Sequence, residues 1–104
     1  MEDAQIARYV GMALKSVREI KKLTIEQLSE MSGVSVEDIA SLEESTNEIN
    51  GLNLATIMDV LSLPQNVLTI KSVYFSEQEE STISPEEKEI LDQSVILIDK
   101  LLAL

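Results

Sequence analysis

The sequence predicts an all-α protein, a five-helix body followed by a C-terminal amphipathic helix. Two observations carry that reading. Apolar residues recur at spacings of 3 and 4 through most of the chain, which is the period of one helix face. Helix-start signals stand immediately ahead of such segments at Thr24, Ser35 and Ser84, and Gly33 lies between the first two as a stop.

The first helix is expected from an Asp3 cap to Lys22, with Ile6, Val10, Ala13, Val17 and Ile20 on one face. Gly11 interrupts it at a cost of roughly 1 kcal/mol relative to Ala, which marks close packing of a neighbouring helix. Thr24 and Gln27 then form a capping-box pattern, and Leu28 and Met31 give the second helix its apolar stripe. Gly33 can take positive φ and end that helix. Ser35 caps a third helix whose inward face is Ile39 and Leu42, leaving Val36, Glu37, Asp38 and Ser41 outside. Residues 23–45 thus read as two short helices joined by a tight turn, a helix-turn-helix. A turn-rich loop follows, with Asn50-Gly51 as its strongest local signal. Leu54, Ile57, Val60 and Leu61 make a fourth helix, and Pro64 opens a short final one that returns Val67 and Leu68 to the core.

Three units result: a helix-turn-helix domain over 1–71, a linker or surface loop over 72–84, and a packing or dimerisation helix over 85–104. The polar run SEQEESTIS lacks an apolar period and motivates the middle unit. Ser84-Pro85-Glu86-Glu87 is a strong helix start, combining an N-cap, proline at the first helical position and a third-position glutamate. Beyond it Ile90, Leu97, Leu101 and Leu104 form one stripe, and Leu91, Val95, Ile98 and Leu102 a second. So wide an apolar face needs cover on both halves. Either it folds back on the body or it pairs with a second copy, and the reading leans to a homodimer through Ile90, Leu91, Leu97, Ile98, Leu101 and Leu104.

Composition narrows the chemistry. The 104 residues include no cysteine and no histidine, which removes disulfides, thiolate chemistry, the commonest metal ligand and the neutral-pH acid-base. No catalytic, cofactor or metal site is expected. The N-terminus lacks a basic segment followed by an apolar core, and no apolar run approaches a membrane span, so a cytoplasmic protein with no membrane partner is expected. Charge is uneven within the net −11. Residues 1–22 hold five cations against three acids, whereas residues 23–70 hold eight carboxylates and no cation. Arg8, Lys15 and Lys22 recur every seven residues as a basic edge, either a solvated face or a docking edge for an acidic partner or phosphates.

From Val10 to Leu68 the chain resembles the helix-turn-helix domain of the lambda-repressor, Cro and XRE regulators. The residues carrying the resemblance are Gly11, Leu14 and Arg18, the run LTIEQLSEMSGVS, Ile39 with Leu42-Glu43, and Leu54, Ile57, Val60 and Leu61. The resemblance implies a lambda-repressor-like fold and a structural ion pair between Arg18 and Glu43. It also places the surface that faces DNA or a partner at Thr24, Ile25, Ser35, Val36, Glu37, Asp38, Ser41, Thr46, Asn47 and Glu48.

That surface departs from the family in chemistry. Where the family has a phosphate-gripping glutamine, this chain has Ile25; the outward positions of the recognition helix carry Val36, Glu37 and Ser41; the loop supplies Thr46, Asn47 and Glu48. A carboxylate and a phosphate about 6 Å apart in water repel by roughly 0.7 kcal/mol, so three or four approaches cost about 2 to 3 kcal/mol. Nonspecific DNA binding is worth only about 5 to 8 kcal/mol and comes from cation–phosphate contacts. The reading favoured is a non-enzymatic regulator whose acidic recognition surface engages a protein, antirepressor-like or DNA-mimicking, for example against a basic DNA-binding regulator. The alternative is a conventional dimeric DNA-binding repressor, which the charge disfavours.

Overall fold

The structure is a computed structural model and describes residues 3–44 and 49–104. Over them the chain is all-helical: α1 (Asp3–Ile20), α2 (Ile25–Ser32), α3 (Val36–Glu43), α4 (Gly51–Val60), α5 (Gln65–Glu80) and α6 (Pro85–Leu102). This is a lambda-repressor-like helix-turn-helix body with an added C-terminal helix. The α1 helix is its centre, packed against α3 on one side and α5 and α6 on the other.

Local chemistry sets the ends of the helices. α1 stops two residues short of Lys22, which takes φ 59° in the left-handed region. The Leu23 N–H donates back to the Arg18 carbonyl at 3.1 Å and the Lys22 N–H to Glu19 at 2.9 Å, the nested pair that closes a helix and reverses the chain. The capping box of α2 is complete: the Gln27 N–H donates to Thr24 Oγ1 at 3.0 Å, and the Thr24 N–H to Gln27 Oε1 at 2.9 Å. Gly33, at φ 77°, ends α2 with its N–H on the Ser29 carbonyl. Ser35 caps α3 through the Asp38 N–H, and Asn50 caps α4 through the Asn53 N–H, so Asn50-Gly51 begins a helix where a turn was expected.

Leu14, Val17, Leu28, Ile39 and Ile57 are fully buried and join all of the first four helices in one core. The expected α1 stripe is only partly right, because the helix is covered from two sides. Ala7, Ala13, Leu14 and Val17 are buried, whereas Ile6 remains 44% exposed. Met31, expected inward on α2, is also exposed. Gly11 lies where α1 crosses the end of α3: a Cβ there would sit 2.5 Å from the Leu42 carbonyl oxygen and 2.7 Å from that of Glu43.

The largest departure from the sequence reading is α5. Residues 72–84 were expected as linker or surface loop, but α5 continues unbroken to Glu80 and only residues 81–84 turn before α6. The polar residues that argued for a loop are satisfied by partners distant in sequence or one turn away. Glu79 pairs with Arg8 of α1, Ser76 donates to Glu80, and Glu77 accepts from Thr82 and Ile83 beyond the helix end. Phe75 packs on the core between them.

Candidate functional site

α3 is set in place by one buried ion pair. Arg18 Nε donates to Glu43 Oε2 at 2.6 Å and Nη2 to Oε1 at 3.0 Å, a two-pronged contact between α1 and the last turn of α3. The remaining prong, Nη1, donates to the Leu23 carbonyl at 2.8 Å and so also holds the turn that leads into α2. Only 10% and 3% of the two side chains is exposed. The hydrogen bond to Glu43 raises the Arg18 pKa above its ordinary value against the opposing effect of burial. Arg18 is thus committed to the scaffold, and its charge does not reach the outer face.

On that outer face Thr24, Ser35, Glu37, Asp38 and Ser41 are exposed and Val36 is half-buried. Ile25 is different: it packs against the core cluster, so it does not belong to the outward surface where the sequence reading placed it. An isoleucine at the start of an amphipathic helix gains by burial what a glutamine would gain in water. Thr46, Asn47 and Glu48 lie outside the described residues. Glu37 and Asp38 occupy the first turn of α3, where their charge complements the helix dipole and holds a negative potential at the end that would approach a phosphate. Glu26, Glu30 and Glu44 are exposed on the same helix pair.

The basic edge expected on α1 is broken by tertiary contact. Arg8 Nη1 donates to Glu79 Oε1 at 3.0 Å, its Nη2 lies 2.9 Å from Oε2, and the guanidinium sits 5.4 Å from the Tyr9 ring centroid. That contact raises the Arg8 pKa, the hydrogen bond to Glu79 first among its causes. Arg8 is therefore paired with α5, whereas Lys15 and Lys22 are exposed.

The six residues expected to form a dimer interface separate into two sets. Leu91 and Ile98 are half-buried on the side of α6 that carries the buried Val95 and the core-packed Leu102. Ile90, Leu97, Leu101 and Leu104 face outward at 67%, 59%, 60% and 99% exposure. Two anchoring residues went unread in the sequence. Lys71, 1% exposed, bridges to Asp99 of α6, and Glu77 accepts from the Thr82 hydroxyl and from the Thr82 and Ile83 N–H groups. Their signal was positional: Lys71 lies three residues after Leu68 and four before Phe75, on the inward face of α5.

Among the described residues no group of acids forms a metal-binding cluster, and no helix is long and apolar enough to cross a membrane. Residues 14–64 match the family model described as helix-turn-helix. Neither the curated proteins nor the solved structures contain a significant match to this chain.

Proposed function

Residues 14–64 place this chain in the Cro/C1-type helix-turn-helix family of transcription regulators, and from that premise we propose that it regulates through a protein partner. The observation that carries the proposal is the charge of the recognition helix. Glu37 and Asp38 are exposed on its first turn, and residues 23–70 supply no cation to offset them. A surface of that shape and sign complements a basic protein, such as a DNA-binding regulator whose DNA it mimics or blocks. The pairing of Arg8 with Glu79 strengthens the reading, since it removes one of the few cations that could anchor a phosphate. The role is non-enzymatic and needs no cofactor.

The exposed α6 stripe supports a second element of the proposal, a homodimer. Ile90, Leu97, Leu101 and Leu104 form an outward apolar row on a helix whose opposite side already packs on its own body. A two-fold pairing of that row buries it without disturbing α3.

Direct operator binding is the competing reading, favoured by family membership. Titration of mixed-sequence duplex DNA at about 50 mM salt separates the two, because nonspecific electrostatic affinity is greatest at low salt. No binding at low micromolar protein is the expected result. Salt-sensitive binding that disappears on replacing Lys15 and Lys22 would overturn the protein-partner reading and assign the DNA contact to α1.

A further inference from the structure

Between α1, α4 and α5 runs an open groove of about 1070 Å³ that shares no lining residue with α2 or α3. Val10, Leu54, Met58 and Leu68 line it from the core side. Ile6 and Val73, also in its lining, remain 44% and 43% exposed. The volume stands at the top of the range for small-molecule pockets, about 300 to 1,000 Å³, and the site is a trough.

Three hydroxyls of the lining are already engaged along α5. The Ser72 hydroxyl donates to the Leu68 carbonyl at 2.7 Å, Thr69 to the Gln65 carbonyl at 3.0 Å, and Ser76 to Glu80 Oε2 at 3.0 Å. These hydroxyls have committed their protons and can offer a ligand only acceptors, whereas the apolar face of a helix requires neither. The charged residues that line the groove are both acidic. Asp59 is exposed in its lining, Glu77 lies in the lining with its carboxylate turned to Thr82 and Ile83, and among the described residues no lysine or arginine lines it.

We propose that this groove docks one amphipathic helix of another protein, with apolar residues at i, i+3, i+4 and i+7 inserted and lysine or arginine on the flanks of that face. Charge complementarity selects this occupant over a second copy of the chain. The chain's own exposed amphipathic helix, α6, carries Glu86, Glu87, Glu89, Asp92 and Asp99 against Lys88 and Lys100, and this net acidic helix would meet the exposed Asp59 with like charge. The inference stands independently of the proposed role of α3.

The test is an NMR titration of the full-length chain in about 150 mM salt, where weak adsorption of cations is screened. The probe is a synthetic peptide of about 14 residues, long enough for some four helical turns, with leucine on one face and lysine elsewhere. One comparator replaces its lysines by glutamate, and another scrambles the same composition so that no apolar face forms. Amide shifts centred on Met58 and Val73 are expected, with both comparators weaker by about tenfold or more. Val73→Lys and Ile6→Lys, at partly exposed positions, remove apolar contact and add a charge that repels the probe, and should each weaken binding to a similar degree, with circular dichroism confirming the helical content. Equal binding of the scrambled peptide, shifts confined to α3 or α6, or undiminished binding by both variants would overturn the proposal.

Discussion

Arg18 and Glu43 join α1 to the end of the helix-turn-helix, and their burial makes them interdependent. Truncating either leaves a charged partner almost without solvent, and Arg18→Ala also abandons the Leu23 carbonyl. Arg18→Ala and Glu43→Ala should each lower stability by up to about 3 to 5 kcal/mol, measured by urea denaturation. A variant that unfolds with the parent would remove the pair from the scaffold. Glu77 makes a different, pH-dependent contribution. The Thr82 hydroxyl, then the Thr82 and Ile83 N–H groups, hold its carboxylate below the ordinary value of 4.5. Its stabilisation is therefore complete above the unfolded-state pKa and is lost as pH falls through the lower folded value. Amide hydrogen exchange at Thr82 and Ile83, taken relative to the intrinsic rate at each pH, should quicken on acidification through that window. In Glu77→Gln it should be fast already at neutral pH, and identical exchange in the two proteins would refute the clamp.

For α3 the governing quantity is the sign of its exposed face. Since Glu37 and Asp38 are exposed and the Ser35 cap is made to the Asp38 backbone N–H, replacing both side chains by lysine leaves the core intact. The cost is loss of favourable dipole interaction, about 0.3 to 1 kcal/mol per site. Glu37→Lys with Asp38→Lys should confer salt-dependent affinity for duplex DNA, with a log–log slope steeper by up to about 2 than the parent's. A double variant that stays inert toward DNA would show that charge is not what separates this surface from a DNA reader. α5 makes the complementary point. Its polar sequence reads as a loop, yet each of Ser76, Glu77 and Glu79 has a partner that lets the helix continue.

Across the whole molecule, α6 belongs to the body on one side and is uncovered on the other. Val95 is buried, Leu102 packs on the core, and Lys71 depends on Asp99 for its counter-charge. Ending the chain after Ile83 should therefore leave Lys71 unpaired and core apolar surface exposed, giving an aggregating or poorly folded fragment by light scattering and circular dichroism. A stable, monomeric fragment would show that α6 is dispensable to the core. The outward row gives the assembly prediction. Full-length protein should be dimeric at about 100 μM, well above the dissociation constant of a typical specific interface. Leu97→Glu with Leu101→Glu should be monomeric and still folded, because both residues are already largely exposed. A parent that sediments as a monomer would end the dimer proposal.

By itself the sequence determined the helix-turn-helix, since capping and turn chemistry act within a few residues. Thr24 with Gln27, Gly33 and Ser35 form in space the contacts their spacing implies. The start of α6 at Ser84 was legible for the same reason, as was the close approach marked by Gly11. Tertiary structure alone decided which charges remain free and which apolar residues stay outside. Arg8 meets Glu79 across 71 positions, Lys71 meets Asp99 across 28, and Ile25 turns to the core. Ion pairs and burial depend on how helix faces are brought together, and one-dimensional periodicity specifies a face without naming what covers it.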